Sequence, residues 1–119
     1  MTGKILIVDD VATNRIVLKV KLSAAQYHTI MAEDGNQALA LARRMQPDLI
    51  LMDVLMPGRS GLDVCAKLKA DPVTSGIKII LITALDDNVS RKEGLEAGAD
   101  DFLARPVDEV ALLAQVRSL

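Results

Sequence analysis

Three carboxylates stand where two apolar runs give out: Asp9 and Asp10 close the run from Lys4 to Val8, and Asp53 follows Leu49 to Met52. Brought together, they would repel one another and hold their protons more tightly unless a cation sat among them. Carboxylate oxygens are hard ligands suited to Mg²⁺, which keeps several of its waters and needs only one or two protein carboxylates. A Mg²⁺ held this way commonly serves phosphoryl transfer, in which metal, a basic residue and a hydroxyl share the charge of the moving group. Thr83, at the end of another apolar run, supplies the hydroxyl, and Arg105 supplies the cation. The set reads as a carboxylate, Asp53, that accepts phosphate.

Positioning these residues requires elements that bring separate chain segments to one edge. Four β-type runs are evident, Lys4 to Val8, His28 to Ala32, Leu49 to Met52 and Lys78 to Thr83, with a weaker fifth from Asp101 to Leu103. KILIV and LILM do not alternate apolar with polar, as befits strands buried on both faces. Between the runs lie helical patterns, and the expected core faces are Ile16, Val17, Val20 and Ala24 in the first and Ala38, Leu41, Ala42 and Met45 in the second. Leu62, Cys65 and Leu68 mark a third helix, Val89 to Ala97 a fourth, and Val110, Leu113, Ala114 and Arg117 a fifth. Asp34-Gly35 opens the second helix, Asp71-Pro72 breaks the chain after the third, and Gly98 suits a C-cap.

Repeated βα units predict a parallel sheet with right-handed crossovers and helices on both faces. The expected fold is α/β, a single three-layer (βα)5 flavodoxin-like sandwich over residues 1–119, with strand order 2-1-3-4-5. In that order strands one and three are neighbours at the switch point. Their carboxyl ends would deliver Asp9, Asp10 and Asp53 to one pocket.

Composition narrows the class. Fourteen basic and 16 acidic residues give a net charge of -2, which argues against tight nucleic-acid binding, and Tyr27 and Phe102 alone make no platform for stacking bases. Apolar runs of at most five residues and the lack of a basic-then-apolar leader predict no membrane span and no secretory signal. A lone cysteine, Cys65, cannot form an internal disulfide and suits a reducing cytoplasm.

Four motifs in order, IVDD (7 to 10), LMDVLMPGRSG (51 to 61), ITAL (82 to 85) and GADDFLARP (98 to 106), resemble the receiver domain of two-component response regulators across essentially the whole chain. Segments such as DVATN, KADP and PVDEVALLAQVRSL most resemble the receiver of PleD-type diguanylate cyclase regulators. The resemblance implies that Asp53 is the phosphoacceptor, receiving phosphate from a sensor histidine kinase or phosphotransfer protein. It implies that Asp10 ligates Mg²⁺ directly, with Asp53, the backbone carbonyl of Leu55 and, directly or through water, Asp9. Thr83 matches the switch hydroxyl, Phe102 the aromatic that moves with it, and Pro106 a proline whose peptide bond is often cis. Output is then expected through the fourth helix, fifth strand and fifth helix, as a homodimer or against a neighbouring domain, with Arg91, Lys92, Asp100, Asp101 and Arg117 among the contacts. No enzymatic activity is implied beyond self-phosphorylation and slow self-dephosphorylation. Leu55 and Leu85, two residues past Asp53 and Thr83, cannot hydrogen-bond an attacking water. Any cyclase output would lie outside this chain.

One position departs from the family pattern: Arg105 stands where lysine is usual, and a planar guanidinium does not reproduce a compact ammonium. A pseudo-receiver that docks or dimerises with weakened coupling is therefore the alternative. Other chemistries fit less well. An Asp-x-Asp phosphatase wants an acid at position 55, which is Leu, and a flavin carrier wants a hydroxyl-rich phosphate loop and aromatic cover that the chain lacks. His28 has no evident partner, Cys65 sits on an apolar helix stripe, and Gly58 and Gly61 shape a loop without making a phosphate cradle.

Overall fold

Alternate residues of a strand point to opposite sides of a sheet, and here that alternation builds two cores. A computed structural model describes residues 3–84 and 87–119. The strands are β1 (Lys4–Val8), β2 (His28–Ala32), β3 (Leu49–Asp53), β4 (Lys78–Ala84) and β5 (Asp101–Arg105). They form one parallel sheet in the order β2-β1-β3-β4-β5, as expected. Ile5, Ile7, Leu49, Leu51, Ile80, Ile82 and Leu103 enter one core with Leu18, Leu22, Leu112 and Val116. Leu6, Val8, Ile50, Met52, Ile79 and Leu81 enter the other with Ala38, Ala42, Val64, Cys65 and Leu68. Every residue of β3 is buried, because it lies between two neighbouring strands and two helical layers. Each aliphatic side chain withdrawn from water in this way contributes about 1.5–3 kcal/mol before entropic costs.

The helices are α1 (Ala12–Ala24), α2 (Gly35–Met45), α3 (Gly61–Ala70), α4 (Asn88–Ala97) and α5 (Glu109–Ser118). α1 and α5 supply one core, and α2 and α3 the other. Asp34, Ser60, Asp87 and Asp108 cap α2 to α5, each accepting a backbone N–H from the first turn. After α4, Gly98 takes the left-handed conformation at φ +100°. α1 begins at Val11 with no side-chain cap of its own. Of the two aspartates that precede it, Asp9 accepts the Val11 N–H at 2.9 Å.

Two helix faces differ from the sequence expectation. Ile16, Val17 and Val20 are exposed, at 54%, 50% and 62%, and Leu18 and Leu22 are the buried pair of α1. α1 carries apolar residues on two stripes, and the sheet takes the shorter one, at the i, i+4 spacing of Leu18 and Leu22. α5 repeats the pattern: Val110 is 76% exposed, whereas Leu112 and Val116 pack inward. β3, β4 and β5 also run one or two residues further than the apolar runs suggested, adding Asp53, Ala84 and Ala104–Arg105, so that Asp53 and Arg105 join Thr83 in regular strand. Among the described residues no helix is long and apolar enough to cross a membrane.

Candidate functional site

The carboxyl ends of β1, β3, β4 and β5 meet at one edge of the sheet, where register sets the site. Val8 lies opposite Met52, and Asp53 opposite Ile82, so Asp9 and Asp53 emerge side by side and Thr83 follows on the next strand. Asp9, Asp10 and Asp53 each offer a carboxylate oxygen, and these atoms lie within 4.8 Å of one another. Asp9 is fully buried, Asp53 is 7% exposed, and Asp10 faces solvent.

Arg105 joins two of the acids. Its Nη2 lies 2.8 Å from Asp9 Oδ2 and 2.9 Å from Asp53 Oδ2. The guanidinium therefore reaches the carboxylate the sequence singles out, and the Arg105–Pro106 peptide bond is cis, as the resemblance implied. The other Asp53 oxygen, Oδ1, accepts the backbone N–H of Leu55 at 3.2 Å, and Asp9 Oδ1 accepts that of Val11 at 2.9 Å. The second bond ties the N-cap residue of α1 to a site carboxylate. Leu55 itself turns outward, 73% exposed, and Leu85 lies outside the described residues.

Burial pushes the Asp53 carboxyl above the usual carboxylate range; Arg105 opposes the shift, and Asp9 and Asp10 add to it. An ionised Asp53 is thus held at a cost that a divalent cation among the three acids would offset. Hard oxygen donors around one point suit Mg²⁺ in kind.

Thr83 is 2% exposed, and its Oγ1 has no hydrogen-bond partner among the described residues. Buried hydroxyls are rarely left unmatched, so this one is free to donate to a group arriving at Asp53. Phe102 lies opposite Leu81, one strand across and two residues short of Thr83's partner Ala104, and packs against the same core as Leu81. Its ring presses on Gly94, where an added Cβ would lie 2.7 Å from Cε1, and Arg91 lies over it with the guanidinium 5.9 Å from the ring centroid. The loop after Asp53 is fixed by backbone bonds, Val54 N–H to Ile82 O and Gly61 N–H to Val54 O.

Two features escaped the sequence. Asp100, expected at an interaction surface, is an exposed residue whose carboxylate also bonds within the chain, accepting from Lys69 Nζ at 3.0 Å and from the Ile79 N–H at 2.9 Å. Arg15 was not singled out, yet its Nη1 donates to the backbone carbonyl of Asp9 at 2.6 Å. A basic residue in the helix that follows paired acids was the only signal for it.

A family model described as the response regulator receiver domain matches residues 5–117. Response regulator PleD of Caulobacter vibrioides (strain NA1000 / CB15N) is 53% identical over 119 residues, the whole of this chain and 26% of that protein. The DNA-binding response regulator MtrA of Mycolicibacterium paratuberculosis is 42% identical over 118 residues, 99% of this chain and 51% of that protein. The chain spans about a quarter of the first relative and half of the second. Among solved structures, the receiver domain of a sensor histidine kinase from Pseudomonas aeruginosa PAO1, described with a magnesium ion coordinated in its active site cleft, is 30% identical with a TM-score of 0.90. That match covers 99% of this chain and 97% of the other.

Proposed function

The chain belongs to the response regulator receiver domain family, the phosphorylation-dependent switches of two-component signalling, and from that premise we propose that Asp53 is its phosphoacceptor. The observation that carries the reading is the pairing of a buried Asp53, bridged to Asp9 by Arg105, with an unmatched Thr83 hydroxyl on the neighbouring strand.

Asp9, Asp10 and Asp53, with the backbone carbonyl of Leu55, would hold Mg²⁺, which would offset the charge that carboxylates and phosphoryl oxygens bring together. The donor is a phosphohistidine of a sensor histidine kinase or phosphotransfer protein. An Asp53 oxygen attacks phosphorus; the new P–O bond forms as the P–N bond breaks, and the imidazole nitrogen keeps the electron pair. Arg105, already on Asp53, pairs with a phosphoryl oxygen, and the Thr83 hydroxyl donates to another. No observation favours the pseudo-receiver reading, since the guanidinium of Arg105 reaches Asp53 as a phosphoryl-pairing cation must.

Drawing Thr83 toward the phosphoryl group vacates space beside β4, which Phe102 on the same face fills, because packed cores favour discrete alternatives over gradual deformation. The surface of α4, β5 and α5 changes with it. Arg91, Lys92, Asp101 and Arg117, with the exposed Val89 and Val110, then contact a second copy or a neighbouring domain. Exposed charge pairs contribute little each and set register more than affinity. We read residues 1–119 as one receiver unit acting in the cytoplasm and regulating an output domain or partner.

Thr83→Ala is expected to accept beryllofluoride at Asp53 but to lose the response. In the wild type, beryllofluoride with Mg²⁺ should spread amide shifts to α4, β5 and α5 and strengthen self-association in sedimentation. In the variant the shifts should stay near Asp53. Equal association constants with and without beryllofluoride in both proteins would refute the link from switch to dimer.

A further inference from the structure

Phosphotransfer as described leaves one cation beside the site unused. Arg15, in the early part of α1, has a side chain only 12% exposed, so its charge is largely withdrawn from water. Its Nη1 donates to the Asp9 carbonyl oxygen at 2.6 Å, while Nη2 lies 3.7 Å from Glu33 Oε1 in the connection between β2 and α2. That carbonyl belongs to the peptide unit joining Asp9 to Asp10. A peptide unit is planar, so holding its oxygen sets the orientation of both flanking Cα atoms, from which the two carboxylates branch.

The two acids depend on this hold unequally. The Asp9 carboxylate is fixed independently by the Val11 N–H and by Arg105. The exposed Asp10 carboxylate takes part in no hydrogen bond or ion pair among the described residues, and its direction follows from its backbone. We propose that Arg15 is a positioning residue for the divalent-cation site: braced by Glu33, it holds the Asp9–Asp10 peptide so that the Asp10 carboxylate faces Asp9 and Asp53. The proposal rests on the reading of these acids as the Mg²⁺ ligands.

The sign of the effect separates positioning from charge. Coulomb's law alone predicts that removing a cation beside three carboxylates strengthens binding of another cation. Loss of an outer partner that orients the ligands predicts the opposite, a weakening of about ten-fold or more. The test is a calorimetric Mg²⁺ titration of the full chain, with metal-free amide spectra and melting temperatures, for the wild type, Arg15→Gln, Arg15→Lys and Glu33→Gln. Arg15→Gln should keep the wild-type amide pattern and bind Mg²⁺ about ten-fold more weakly. Arg15→Lys, which keeps the charge but loses the fork, should also bind more weakly, and it decides the matter if the Gln variant fails to fold. Glu33→Gln should weaken binding by less, because Glu33 is 67% exposed. Unchanged or tighter Mg²⁺ binding in a folded Arg15 variant overturns the proposal even if its melting temperature falls. A wild type that binds no Mg²⁺ overturns the metal-site reading first, and the proposal with it.

Discussion

Asp53→Asn is expected to reduce phosphorylation by a small phosphodonor to background while leaving the fold intact. An amide offers no carboxylate nucleophile, and neither neighbouring acid stands in the same position. Asp9 is fully buried with both oxygens engaged, and Asp10 is exposed at the site's margin without the strand-end placement that sets Asp53 between Arg105 and Thr83. The same substitution has a second expected consequence. The folded protein raises the Asp53 pKa, chiefly by burial, so it binds this proton more tightly than the unfolded chain does. Stability from this group is therefore greatest at low pH and is lost as pH rises through the raised pKa. Without Mg²⁺ at neutral pH the Asn variant should melt above the wild type, with the gap closing as pH falls toward the ordinary carboxylate range. Mg²⁺ should raise the melting temperature of the wild type more than that of the variant. A variant that melts below the wild type throughout would show that Arg105 outweighs burial.

Gly61→Ala is expected to be among the most damaging single-methyl additions in the chain. A Cβ there would lie 2.2 Å from the Asp53 carbonyl oxygen and 3.0 Å from the Asp53 carbonyl carbon and Val54 Cα, all of them backbone atoms that no rotamer change can move aside. Overpacking against yielding side chains costs about 1–3 kcal/mol, and a backbone clash falls at or beyond the top of that range. The melting temperature should fall on the order of 10 °C. Because the displaced backbone is that of Asp53, Mg²⁺ binding should weaken in whatever fraction folds. Gly58→Ala is the control: φ is +78° but an added Cβ meets nothing within 4 Å, so only about 1 kcal/mol of backbone strain is expected. Equal melting temperatures for the two variants would contradict the close approach at Gly61.

The sheet was legible because β1, β3 and β4 are built on short aliphatic runs, and because crossovers of this length leave a parallel order little freedom. The acidic site was legible for a related reason: ligand sites of open α/β sheets lie at the carboxyl ends of strands, so Asp9, Asp10, Asp53, Thr83 and Arg105 stood at positions worth reading. Helix orientation was harder. α1 and α5 are apolar on more than one side, and periodicity alone could not say that Leu18 and Leu112 face the sheet while Val17 and Val110 face water. The internal bonds of Asp100 and Arg15 were not legible because their partners are backbone groups, Ile79 N–H and Asp9 C=O, which no spacing of side chains reveals.

The central claim, that Asp53 accepts phosphate in a Mg²⁺-dependent site, is tested most directly by intact-mass spectrometry and peptide mapping after incubation with acetyl phosphate. The expected result is a single phosphoryl group per chain, mapped to Asp53, formed with Mg²⁺ and absent in excess chelator. An adduct on another residue, full labelling in chelator, or labelling that persists in Asp53→Asn would contradict it.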